Sequence, residues 1–145
     1  MFKHILLPTD GSPLSEMASQ KCIALAKEAG ARLTSIHVVP EFRVFAYAPG
    51  IVNDTPEQYK KDCEAAASKI LAGVEKAARE AGVACSTLFV YNDHPYEAIV
   101  KAAGENGCDL ICMAAHGHKG IKGMLLGSET QKVLTHSATP VLVYR

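Results

Sequence analysis

Three observations in this sequence predict an α/β domain built on a single five-stranded, mainly parallel sheet flanked by helices. Short apolar runs alternate with helical patterns from end to end, which is the signature of strand–helix–strand units. The helical patterns open on capping or proline signals, and three of the four close near glycine. One run, Asp109 to Ala115, is apolar almost throughout, as a strand covered on both faces must be.

The elements follow in order. Lys3 to Pro8 is a short apolar run that leads into Thr9-Asp10-Gly11-Ser12-Pro13. Ser12 can cap a helix and Pro13 suits its first position. Leu14, Ala18, Cys22, Leu25 and Ala29 then recur at three and four until Gly30, a residue suited to a left-handed C-cap. Leu33 to Val39 is the second strand, ending at Pro40. The segment Glu41 to Asp54 fits no regular period and is expected to be a long surface loop. Thr55-Pro56-Glu57-Gln58 is a capping box with proline at the first helical position. Behind it Tyr59, Cys63, Ala66, Ile70, Val74, Ala77 and Ala81 mark a long helix that stops at Gly82. Val83 to Tyr91 is the third strand, and His94-Pro95 opens a helix with Ile99 and Ala103 inward, closed near Gly104 and Gly107. Asp109 to Ala115 is the fourth strand. The glycine-studded loop His116 to Gly127, a short helix Ser128 to His136 and a fifth strand Pro140 to Tyr144 complete the chain.

A chain of 145 residues is one domain's worth, 1–145, and can bury a core without disulfides or structural metal. Fifteen basic side chains balance fifteen acidic ones, which argues against a nucleic-acid binder or a reader of anionic membranes. The opening residues lack a signal-peptide pattern and no apolar stretch reaches the length of a bilayer span, so a soluble, cytoplasmic protein is expected. The five cysteines have no Cys-x-x-Cys pair and read as buried thiols, and the six histidines are too dispersed for a zinc site.

In a doubly wound sheet, ligands sit outside the carboxyl ends of the strands where the strand order reverses, so the loops after strands one, two and four are the places to look. The loop after strand four, from Ala114 to Thr130, carries Gly117, Gly120, Gly123 and Gly127, and Gly127-Ser128 delivers free N–H groups at a helix start. These are parts of a phosphate cradle. From Ala114 onward Lys119, Lys122, Lys132 and Arg145 face a single acid, Glu129, a local bias that suits an anion. The alternative is a surface loop in which Ser128-x-x-Gln131 merely starts a helix. The pattern is neither Gly-x4-Gly-Lys-Ser/Thr nor Gly-x-Gly-x-x-Gly, so a different nucleotide-binding scheme is required.

With these residues the chain resembles the universal stress protein family, whose ATP-binding members carry Gly-x2-Gly-x9-Gly-Ser/Thr after the fourth strand. Gly117, nine residues and Gly127-Ser128 match the later part of that motif. Lys3 to Ser12, Ile36-His37-Val38-Val39 and Thr139 to Val143 extend the resemblance over the chain. The first motif glycine is Ala114 here. A need for positive φ there would penalise alanine, whereas a need for smallness alone would not; its place at the end of an apolar strand favours the second.

The resemblance implies a Rossmann-like fold of the adenine-nucleotide alpha hydrolase kind and a nucleotide-dependent regulatory dimer that binds ATP or AMP. Pro8, Thr9 and Asp10 would border the adenosine, and Val38 would meet the adenine edge through its backbone. Met113 and Ala114 would border the ribose and first phosphate, and Gly117, Gly127, Ser128 and the Glu129 backbone would hold phosphates. Mg²⁺ would bind through phosphate oxygens and water. His116 and His118 have two readings, phosphate contacts or incidental loop histidines. Asp10 also suits an Asx-turn that needs no ligand, and His37 reads as a satisfied core or rim histidine. The resemblance further implies pairing of the last strand, Val141, Leu142 and Val143, across a two-fold axis.

No dyad or triad emerges from spacing, so catalysis is not expected beyond slow ATP hydrolysis or autophosphorylation. A receiver-domain reading fails because no acidic pair follows strand one. A dimeric interaction module of the same family that binds no nucleotide is the competing reading.

Overall fold

Two periodicities in the sequence become two faces of one sheet in the computed structural model, which describes residues 1–42, 55–118, 120 and 125–145. The strands are β1 (His4–Pro8), β2 (Arg32–Val39), β3 (Cys85–Tyr91), β4 (Leu110–Ala114) and β5 (Val141–Tyr144). The helices are α1 (Pro13–Ala29), α2 (Pro56–Glu80), α3 (Pro95–Glu105) and α4 (Ser128–His136). All strand pairings are parallel, in the order β3-β2-β1-β4-β5. The α/β architecture expected from the sequence is therefore present.

Side-chain alternation divides the core. Ile5 and Leu7 of β1 and Cys112 of β4 pack with Cys22, Ile23 and Ala26 of α1 and Val74 and Ala78 of α2. Leu6, Ile111 and Met113 turn the other way, onto Ile99 and Ala103 of α3 and Val133 of α4. The order of strands explains this division. From β1 the chain moves outward through β2 to β3, with α1 and α2 on one face, and then α3 returns it across the other face to β4 on the far side of β1. Same-handed crossovers in opposite directions place their helices on opposite faces. The reversal point lies between β1 and β4.

The helix boundaries follow their local signals. The Ser12 hydroxyl accepts the N–H of Ser15 at 3.3 Å, Pro13 occupies the first turn, and Gly30 closes α1 with φ 67°. Thr55 accepts the N–H of Gln58 at 3.1 Å to start α2. The buried stripes differ from the expected ones. On α1 the inward residues are Ser15, Ala18, Ser19, Cys22, Ile23 and Ala26, while Leu14, Leu25 and Ala29 lie at the margin. On α2 they are Ala67, Leu71, Val74 and Ala78, one position along from Ala66, Ile70 and Ala77. Close approach to the sheet selects small residues, and runs such as Ala65-Ala66-Ala67 and Ile70-Leu71 offer two adjacent stripes that periodicity alone does not separate.

Strand ends are one or two residues shorter than expected at Lys3, Val83, Asp109 and Ala115. Cys22, Cys108 and Cys112 are buried, but Cys63 on α2 and Cys85 on the edge strand β3 are only half-buried; all five are free thiols. The expected loop over Glu41–Asp54 lies, beyond Glu41 and Phe42, outside the described residues. Among the described residues no helix is long and apolar enough to cross a membrane.

Candidate functional site

The carboxyl ends of β1 and β4 carry the two loops that meet at the reversal point. In the β1–α1 loop, Thr9 is buried; its N–H donates to the Ile36 carbonyl at 2.9 Å, and its own carbonyl meets His37 Nδ1 at 2.8 Å. His37 is thus the satisfied histidine expected from its strand pattern, stacked on Phe89 with ring centres 6.2 Å apart. The Thr9 hydroxyl pairs with that of Ser15, which ties the loop to the first turn of α1.

Asp10 does two things at once. Its Oδ1 accepts the N–H of Ser12 at 3.0 Å, the Asx-turn the sequence allowed, and its Oδ2 accepts the N–H of His118 at 2.9 Å. The His118 ring returns the contact, with Nε2 3.0 Å from the Asp10 carbonyl oxygen. Burial raises the Asp10 pKa, but the hydrogen bonds from Ser12 and His118 outweigh it and hold the carboxyl below its usual range. His118 therefore latches the two loops rather than standing incidentally on the surface.

Gly117 and Gly127 of the β4–α4 loop serve space rather than conformation. Gly117 and Gly127 do not have positive φ. A Cβ at Gly117 would collide with the Asp10 carboxylate, and one at Gly127 would lie 3.2 Å from the Cβ of His116. Ala114 is buried, ends β4 and likewise has no positive φ, so alanine carries no backbone strain there. Its carbonyl accepts the Thr130 hydroxyl at 3.1 Å, and the next carbonyl, Ala115, accepts the Gly127 N–H at 2.7 Å. These two bonds fix the start of α4 against the end of β4. Gly127 is the N-cap and provides no side-chain bond. The first helical bond of α4 runs from the Gln131 N–H to the Gly127 carbonyl, so the N–H groups of Ser128, Glu129 and Thr130 have no intrahelical acceptor. They and the helix dipole make the start of α4 suited to an anion.

The remaining expected site residues lie around this crevice. Pro8 ends β1, Val38 lies half-buried near the end of β2, and Met113 is buried beneath the loop on the α3/α4 face. His116 is half-buried, and its Nδ1 is enclosed with no hydrogen-bond partner among the described residues. Lys119 and Lys122 lie outside the described residues. Lys132 is engaged by Glu129, whose carboxylate is also bound to the N–H of Tyr96 at 3.0 Å. Glu129 thus caps α3 from the first turn of α4.

Sequence reasoning missed three contributors. Gly11 adopts φ 77°, and a Cβ there would lie 3.0 Å from the Ile70 side chain; the Asp-Gly-Ser-Pro turn was its available signal. The Thr130 bond to β4 and the Tyr96–Glu129 bond had none, because both depend on helix placement. Shallow concavities of about 350 and 530 Å³ run along α2 and β3, lined by residues such as Glu64, Leu71, Glu75 and Phe89. They lie away from the carboxyl-end loops of β1 and β4, so the strand-order reversal is the better candidate site. No group of three or more His, Cys, Asp or Glu among the described residues has metal-holding geometry.

Known proteins share this fold. The model of the universal stress protein family matches residues 1–145. Universal stress protein YxiE of Bacillus subtilis is 34% identical over 149 residues, covering all of both chains. The solved structure of MJ0577 from Methanocaldococcus jannaschii superposes with a TM-score of 0.82 at 30% identity, covering 99% of this chain and 95% of that one. A universal stress protein solved in complex with cAMP superposes at 0.73 with 28% identity, covering 99% and 97%. The chain belongs to the universal stress protein family.

Proposed function

We propose that this chain is a regulatory protein that binds an adenine nucleotide, ATP or AMP, in the crevice between the carboxyl ends of β1 and β4. The observation that carries this reading is the set of open N–H groups at the start of α4 together with the bare backbones of Gly117 and Gly127, in a loop that the Asp10–His118 latch ties to the end of β1 at the strand-order reversal. The family relative solved with cAMP supports it.

Pro8, Thr9, Asp10 and Val38 would border the adenosine, and Met113 and Ala114 the ribose and first phosphate. His116, Gly117, Gly127, Ser128 and the Glu129 backbone would face the phosphates. The donor set fits: main-chain N–H groups and small residues suit phosphate, and Mg²⁺ would be held through phosphate oxygens and water. Because Asp10 binds both loops, a ligand that engages Asp10 also alters the β4–α4 loop, which supplies a nucleotide-dependent switch.

Calorimetric titration of freshly purified protein with ATP and Mg²⁺ tests the reading. Saturable heat supports it; no heat up to millimolar ATP, with no nucleotide co-purified, overturns it. The same latch favours the second reading, an interaction module without nucleotide, since the Asp10 carboxylate already fills the space beside Gly117. The titration separates the two.

The proposed switch is a homodimer joined through β5. That strand lies at the sheet edge, bonded to β4 on one side, with Leu142 exposed between half-buried Val141 and Val143. Such an edge invites pairing. Light scattering at micromolar concentration is expected to give the mass of two chains; a monomer mass overturns the dimer.

A further inference from the structure

The start of α3 lacks a cap of its own. His94 occupies the N-cap position without a side-chain hydrogen bond, and Pro95 has no N–H to satisfy. The N–H of Tyr96 is taken instead by Oε2 of Glu129, 3.0 Å away, from the first turn of α4. The other carboxylate oxygen lies 3.5 Å from the Lys132 ammonium, which also stands 5.6 Å from the centre of the Tyr96 ring. One side chain therefore caps a neighbouring helix and places a formal negative charge in the first turn of α4, whose start is bonded to the end of β4 at the crevice.

That charge has opposite effects on the helix and on a ligand. A carboxylate in a first turn stabilises its helix, whereas its repulsion of a bound anion grows with the anion's charge. Lys132 offsets only part of it, because the two side chains are 46% and 37% exposed and water screens the pair. Resting on the nucleotide reading above, we propose that Glu129 is a specificity-determining residue: it caps α3 from α4 and biases the crevice toward adenine nucleotides of low phosphate charge, AMP over metal-free ATP. A phosphate monoester carries about −1.5 to −2 at neutral pH and free ATP roughly twice that. Mg²⁺ bound to the ATP phosphates removes most of the difference, and with it most of the bias.

Two variants separate the charge from the cap. Glu129→Gln keeps an oxygen for the Tyr96 N–H and removes the charge; Glu129→Ala removes both. In calorimetric titrations without Mg²⁺, E129Q is expected to bind ATP about threefold to tenfold more tightly while its AMP affinity changes less than about twofold. With Mg²⁺ the ATP gain falls to about twofold or less. Equal changes for AMP and metal-free ATP overturn the charge selection and leave the nucleotide reading intact. If neither the unaltered protein nor E129Q binds AMP or ATP, the nucleotide reading fails and the selection fails with it. Hydrogen exchange at the Tyr96 amide, read without nucleotide, tests the cap. Exchange is expected to quicken at least about tenfold in E129A and to stay close to the unaltered rate in E129Q. Unchanged exchange in E129A overturns the proposal.

Discussion

The two ends of the sheet use the same residue types for opposite purposes. At the amino ends of the strands, Asp109 accepts the N–H groups of two successive residues, Lys3 at 2.9 Å and His4 at 3.1 Å, and the turns close on Gly30 and Gly107. At the carboxyl ends, Asp10 accepts one N–H from each of two loops, from Ser12 beside it and from His118, 108 positions along the chain, and the glycines are Gly117 and Gly127. Gly30 and Gly107 have positive φ and open space where a Cβ would stand; Gly117 and Gly127 have no positive φ and crowded space. One rim uses glycine to turn the chain, while the other uses it to bring two backbones and a carboxylate together. Only the second arrangement would have to rearrange to admit the proposed nucleotide.

Substitutions sharpen that difference, beginning with the crowded glycine. Gly117→Val puts a branched side chain into the space of the Asp10 carboxylate, and nucleotide affinity by calorimetry is expected to fall at least about tenfold. Unchanged affinity would show that the crevice tolerates a side chain there and would remove the spatial argument. Asp10→Ala is expected to weaken nucleotide binding by about tenfold, whereas Asp109→Ala leaves it within about twofold.

The same two aspartates give a matched acid response. Burial raises each pKa, but main-chain hydrogen bonds, joined at Asp10 by the Ser12 side chain, more than offset it, so both folded values lie below the ordinary carboxylate range. A depressed carboxylate contributes stability above its unfolded pKa and loses it as pH falls through the folded value. The stability gap between the unaltered protein and either alanine variant, from urea unfolding, should therefore be widest near neutral pH and narrow below about pH 4. A gap independent of pH would count against ionised acceptors at either rim.

Smaller effects belong to the positions where only the backbone matters. Gly30→Ala forces a side chain into φ 67° and should cost about 1 kcal/mol in urea unfolding, with nucleotide affinity unchanged. Ala114→Gly should leave affinity within about twofold, since the strand conformation there suits either residue. A large gain on Ala114→Gly would instead show that the missing motif glycine limits binding.

Much of this was legible along the chain. Ser12-Pro13 and Thr55-Pro56 located helix starts to the residue, Gly30 located a helix end, and Gly117 with Gly127-Ser128 marked the crevice loop. The buried stripe of α2 was less legible, because neighbouring alanines and the Ile70-Leu71 pair allow two faces to look equally apolar. His118 was ambiguous for a different reason: nothing in a loop pattern reveals a partner that lies on another strand's end.

What the sequence determined by itself was local: which segments are strands or helices, where helices begin, and which loop is rich in bare backbone. Capping, proline geometry and apolar period act over a few residues, so they can be read in one dimension. That Asp10 also meets the His118 N–H, and that Glu129 caps α3, were decided only by tertiary structure. Those bonds require α3 and α4 to share a face and β1 to lie beside β4, a neighbour relation set by packing the whole sheet.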